Sequence, residues 1–143
     1  MPMNHSQRVT ADYPEQKIIQ AIVDRLSATE TNVLLGYSAT GLADDLTLPA
    51  FLIQLESVQE QERQGHRVKA LMSLNISAVT KTTKDTTFDL IMLVNSLRQQ
   101  LDTGERLCTE ARKMSFSETQ FDIAPNHGHL SFADIQLTID VIL

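Results

Sequence analysis

The sequence predicts an α+β domain, a mainly antiparallel sheet of four to five strands with two helices packed on one face. Three patterns carry that expectation. Ile18, Ile19, Ile22, Val23 and Leu26 recur at helical spacing. From Arg67 the chain alternates, with Val68, Ala70, Met72, Leu74, Ile76 and Ala78 on one face and Lys69, Leu71, Ser73, Asn75, Ser77 and Val79 on the other. The last segment alternates too, with Ala133, Ile135, Leu137, Ile139, Val141 and Leu143 opposite Asp134, Gln136, Thr138 and Asp140. Alternation with one polar face marks a half-exposed antiparallel sheet, and hairpin-paired strands with helices on one side make an α+β domain.

Residues 1–12 read as a disordered lead to a single domain over residues 13–143. Asp12 is placed as a helix N-cap, with Pro14 in the first turn and Glu15 three residues after the cap, a capping-box pattern. The helix is expected over roughly 14–28. Val33-Leu34-Leu35 reads as a short strand before Gly36, and Gly36 to Pro49 as a loop long enough to contact something. Phe51, Ile53 and Leu55 share one face of the strand that opens the sheet, and the polar stretch Gln59 to Gly65 reads as a hairpin end. Asp85 or Thr86 caps a second helix. Its apolar arc is broad: Phe88, Ile91, Met92 and Leu101 keep one spacing, and Leu90, Leu93, Val94 and Leu97 widen it. So wide an arc predicts protein on both sides. Gly104 is the expected stop, with a further helical turn over Glu105 to Arg112. Met114 to Phe121 reads as a strand and Asn126-His127-Gly128-His129 as a turn. The final strand runs from Leu130 to the apolar end Leu143, which is expected to be buried by the protein or a neighbour.

With 143 residues, 42% of them hydrophobic and 21% charged, the composition is that of one globular domain. The net charge is −6 and the pI near 5.1. That balance argues against general nucleic-acid binding, which needs a basic surface, although a local patch remains compatible with it. The single cysteine, Cys108, excludes an internal disulfide and fits a cytosolic environment. The first residues are polar and hold no apolar core of the signal-peptide kind. No apolar run reaches the length of a membrane span.

Searching for chemistry assigns no catalytic, cofactor-binding or metal-binding residue. Phosphate-loop and GxGxxG patterns are missing from the sequence. Gly36-Tyr37-Ser38-Ala39-Thr40-Gly41 resembles a nucleophile elbow, but its second glycine falls one position late. His127 and His129 flank Gly128 and could share a metal only if folding supplied a further ligand such as Asp122 or His66. Cys108, with Arg106 and Arg112 near in sequence, reads as a small core residue more readily than as a reactive thiol. Asp44-Asp45 lacks the alternating acids of a calcium loop.

Charge is unevenly spread. From Arg63 to Lys84 the chain carries five basic residues and no acid. That segment is +5, so the remainder of a −6 chain is −11. Arg67, Lys69 and Lys81 share one strand parity, and Glu56, Glu60 and Glu62 lie on the facing arm. Two readings stay open: cross-strand ion pairing within the hairpin, or a basic strip meeting an acidic surface on a neighbouring subunit. A head-to-tail contact of the second kind makes a ring if its rotation closes. The candidate interaction residues are Glu60, Glu62, Arg63, Arg67, Lys69 and Lys81.

Pro49-Ala50-Phe51-Leu52-Ile53-Gln54-Leu55-Glu56-Ser57-Val58 enters a long hairpin, followed by the strand to Val79, the helix Phe88 to Leu101 and two closing strands. With the opening helix Ile18 to Leu26, this order resembles the tail terminator, or tail completion, proteins of bacteriophages and prophages, over about residues 13–143. Many relatives carry a tryptophan in the last strands, where this chain has Phe132 and no tryptophan. The resemblance implies a non-enzymatic structural protein without cofactors. It implies a homo-oligomer, a hexameric ring that caps the tail tube, stops its polymerisation and joins the head through connector proteins. Its place would be the virion tail, and the host cytoplasm during assembly, with no membrane and no sequence-specific nucleic acid as partner. Two other readings are kept: a small α+β enzyme or metal-binding protein using His127 and His129, and another phage neck or baseplate adaptor.

Overall fold

A computed structural model describes residues 13–36 and 47–143. The chain order is α1 (Pro14–Ser27), β1 (Asn32–Leu35), β2 (Ala50–Gln64), β3 (Arg67–Lys81), α2 (Thr86–Gln100), β4 (Ala111–Asp122) and β5 (Leu130–Ile142). The five strands form one sheet in the order β1-β2-β3-β5-β4. Every pairing is antiparallel except β1 with β2. The α+β expectation holds, with two helices on a five-stranded, mostly antiparallel sheet. The lead to residue 12 with its Asp12 cap, the elbow-like Tyr37 to Gly41 and the Asp44-Asp45 pair lie outside the described residues.

Alternation decides the layers. On β5, Ala133, Ile135, Leu137, Ile139 and Val141 are all at most 1% exposed. In register they meet Ala78, Ile76, Leu74, Met72 and Ala70 of β3. The helices cover this face. Ile18, Ile22 and Leu26 of α1 and Leu90, Val94 and Leu97 of α2 join the same buried cluster as Phe51 and Ile53. Burying each large aliphatic side chain contributes about 1.5–3 kcal/mol. The other face is open and polar. Asn75 donates to Ser77 Oγ at 3.0 Å, Ser77 donates to Asp134, and the Ser115 and Thr138 hydroxyls lie 2.8 Å apart. Near the β1 end a smaller cluster of Ala50, Leu52 and Val79, with Leu34, Leu48, Leu130 and Phe132 against it, interrupts that polarity. Phe132, at the tryptophan-like position, belongs to this cluster.

Several local expectations are corrected. The first helix begins at Pro14 with Tyr13 at its N-cap and no side-chain cap. The stretch Gln59 to Gln64 is strand to its end, and the hairpin turns only on Gly65 and His66, with Gly65 at a φ of 62°. The polar residues of that stretch are exposed strand, because among the described residues β1 pairs only with Ala50 to Ile53 and leaves the rest of β2 at the sheet border. The second helix ends at Gln100 rather than at Gly104. Leu101 leaves helical geometry at its C-cap, and Asp102 Oδ1 accepts from the Gly104 amide at 2.8 Å in a local turn. Glu105 to Glu110 forms turns, not a helical turn, and β4 starts at Ala111. Cys108 is half-buried against the main core, not fully within it. Not all strands pair as hairpins: β1 lies parallel to β2, and β3 pairs with β5 across two intervening elements.

The broad arc of α2 is only half used within the chain. Leu90, Val94 and Leu97 face the sheet, whereas Phe88 is 75% exposed and Met92 70%. Thr86 starts this helix in place of a side-chain cap by Asp85, since its hydroxyl accepts from the Thr83 amide at 2.6 Å and donates to the Thr83 carbonyl at 2.9 Å. No helix among the described residues is long and apolar enough to cross a membrane.

Candidate interaction surface

Five of the six residues singled out from the sequence gather at the Gly65 end of the β2–β3 hairpin. A register shift sorts them. Glu60 pairs with Ala70 but Glu62 pairs with Lys69, so an extra β2 residue is fitted between the two acids. A one-residue slip flips a side chain to the other face. Glu62 therefore reaches Lys69 at 3.7 Å across the strands, while Glu60, on the helix-bearing face, takes Arg63 at 2.8 Å. All four side chains are at least half exposed, so each pair is worth at most about 1 kcal/mol. Among the described residues Arg67 has no acidic partner within ion-pair distance. Lys81 does not belong with the others. It pairs with Leu130 at the far end of β3, about 40 Å from Lys69 at strand rise. Shared parity placed it on the same face, but distance along the strand removes it from the cluster.

The fold adds basic residues that the strip argument missed. Arg106, Thr109 and Glu110, from the segment before β4, and Arg112 at the start of β4 come beside Glu62, Gln64, Arg67 and Lys69 around an open concavity of about 430 Å³ that Ile142 also lines. A neighbouring hollow of about 300 Å³ shares Lys69 and Arg112 and adds Lys113 and Asp140. Arg106 is held in place by the Thr109 carbonyl at 2.9 Å and the Ala111 carbonyl at 3.3 Å. Its charge is therefore directed without being neutralised. Arg106 and Arg112 were visible in the sequence as cations near Cys108. Their approach to Arg67 depends on β5 bridging β3 and β4, which local spacing does not encode.

Glu110 rims the same hollow. Its own backbone amide holds its carboxyl below the usual carboxylate range against the opposing effect of burial, and Lys17 at 3.3 Å adds a smaller lowering. A lowered folded-state pKa gives stability that is complete above the unfolded value near 4.5 and is lost as pH falls through the lower folded value. Glu110→Gln is therefore expected to flatten the acid limb of the stability curve and to leave stability at pH 8 to 9 changed only by the loss of a surface pair. Urea unfolding at a series of pH values reads this directly. An unchanged acid limb would show that the Glu110 carboxyl is not held below its ordinary range in the folded chain.

The remaining candidates do not converge. His127 and His129 are exposed in the β4–β5 turn, whose Gly128 has a φ of 83°. Among the described residues no three His, Cys, Asp or Glu side chains come together as a metal site would require.

Fold and surface together define a small antiparallel α+β domain whose charged and apolar exposed groups lie along the sheet borders and one sheet end. A family model described as phage tail terminator protein matches residues 17–140, from α1 into β5. The chain belongs to the phage tail terminator protein family and is a structural component of a phage tail. No curated protein gives a significant match to it.

Proposed function

We propose that the protein terminates the tail tube as a subunit of a homo-oligomeric ring, a hexamer, and forms the surface that joins the tail to the head. In this reading it has no catalytic role and needs no cofactor. It assembles in the host cytoplasm and remains in the virion tail, contacting tail-tube and connector proteins. The family match over residues 17–140 carries the reading. The segregated basic end supports it, since a −6 chain with a concentrated positive end presents unlike surfaces to its neighbours.

Native mass measurement, with negative-stain images of the protein alone and bound to purified tail tubes, tests the proposal. Closed rings at tube ends are the expected result. A protein that stays monomeric at high concentration and leaves tube ends bare and growing would overturn it. Charge reversal of Arg67 and Lys69 together is expected to weaken assembly more than it lowers the melting temperature of the monomer. Both side chains are exposed, so the fold depends little on them. If melting falls while the oligomer persists, the basic residues serve only the hairpin.

A further inference from the structure

Among the described residues the sheet has two free borders on opposite sides. One is β4, residues 111–122, which pairs only with β5. The other is the outer part of β2, Gln54 to Gln64, which pairs only with β3. Free borders of this length are commonly blunted or covered, because their unpaired amides and carbonyls invite another strand.

Apolar exposure follows these borders. Leu55 and Val58 of β2 are 42% and 37% exposed. Phe121 at the end of β4, and Ile123 just beyond it, are likewise exposed. The outer row of α2 extends the β4 side. Phe88, Ile91 and Asn95 lead by helical spacing to Arg98, and Arg98 donates to Thr119 Oγ1 of β4 at 3.1 Å. The unused half of the α2 arc therefore lies over the β4 border.

Charge and direction identify the occupant. Successive antiparallel pairings make β2 and β4 run in opposite senses. A second copy set beside the first by rotation about an axis along the strands brings its β2 antiparallel to the first copy's β4. The register puts opposite charges close in height. Glu60 pairs with Ala70, Ala70 with Val141, and Val141 with Ala111. Arg112 and Lys113 follow directly, and Lys113, level with Gln59, shares the open face with Glu62 of the other border. The register shifts in both strands break the borders into short runs and disfavour an arbitrary flat strand.

We propose that the outer border of β2 on one copy docks antiparallel against β4 and the α2 row of the next. The inference rests on the ring reading and specifies its interface. The contact is heterologous, with Val58 and Leu55 covering apolar surface on the helix-bearing face and with Gln59 and Glu62 on the same, open face as Lys113. Each copy keeps one border of each kind, so the contact propagates, and the ring reading requires that its rotation closes.

Single-cysteine proteins test it. In a Cys108→Ser background, Gln59→Cys is mixed with Lys113→Cys, which stands level with it on the open face, and separately with Arg112→Cys and Ser115→Cys to cover a small slip of register, under mild oxidation. Within one chain the two borders are three strand spacings apart, about 14 Å, which no disulfide spans. The expected result is a disulfide dimer in at least one mixture and none from any variant alone. A chain carrying both cysteines should give a ladder ending at the subunit number of the ring. Val58→Asp, with Cys108 retained, should weaken assembly by about tenfold or more at an unchanged melting temperature. Rings that form without mixed disulfides and persist in Val58→Asp would overturn this interface and leave the ring reading standing. Disulfides from a single variant alone, as a two-fold contact produces, would overturn it as well. A monomer even on tail tubes would overturn both.

Discussion

Truncation after Ser131 is expected to leave a chain that does not fold. β5 is the only strand joined to both β3 and β4, so its loss strips β4 of every sheet partner and makes β3 a border. It also removes Ile135, Leu137, Ile139 and Val141, each at most 1% exposed. At about 1.5–3 kcal/mol for each such side chain, the loss is roughly 6–12 kcal/mol, comparable with the whole stability of a domain, about 5–15 kcal/mol. Far-UV circular dichroism with urea titration is the measurement. A cooperative transition retained by the truncated chain would show that α1, α2 and the β2–β3 hairpin form a sufficient unit without β5.

Ile139→Ala is expected to cost about 2–5 kcal/mol and to lower the urea midpoint without changing the slope. Ile139 is 0% exposed and stands in register between Met72 of β3 and Met114 of β4. Both neighbours are unbranched thioethers that can shift into part of the space left by the missing atoms. That places the loss in the lower half of the range, about 2–3.5 kcal/mol. A loss below about 0.5 kcal/mol would mean that the last strand is not packed as described. Phe88→Ala is the informative contrast. Phe88 is larger but 75% exposed, so its removal should change the isolated chain by no more than about 0.5 kcal/mol. Any large effect of Phe88 should appear only in assembly.

That contrast marks how far sequence reading reached. Period-two alternation identified β3 and β5 because each has one buried and one open face, and a burial difference on alternate residues leaves a pattern in composition. Helical spacing identified α1 for the same reason, through Ile18, Ile22 and Leu26. The outer part of β2 escaped because no helix covers its apolar face. With both faces in water, Gln59 to Gln64 has no reason to alternate and shows only as a polar hairpin end. Gly104 misled because a glycine near a helix end is a good stop in general. Here the helix had already ended at Gln100, and an Asp102 turn explains the residue.

The interaction residues show the same division. Parity alone grouped Arg67, Lys69 and Lys81. The fold kept Lys69 beside Glu62, left Lys81 at the far end, and brought in Arg106 and Arg112 from a segment about forty residues further on. The register shift near Gln61, which decides that Glu62 rather than Glu60 faces Lys69, has no signature in charge spacing.

By itself the sequence determined the class of fold, most strand and helix positions, the buried face of β5 and the uneven distribution of charge. Each of these follows from local periodicity or composition. The tertiary structure alone decided the strand order, the parallel place of β1, the two free borders and the convergence of β4's bases with the hairpin end. Those depend on which distant segments share hydrogen bonds and a common core, and pairing between segments far apart is selected by total burial rather than by any short stretch of chain.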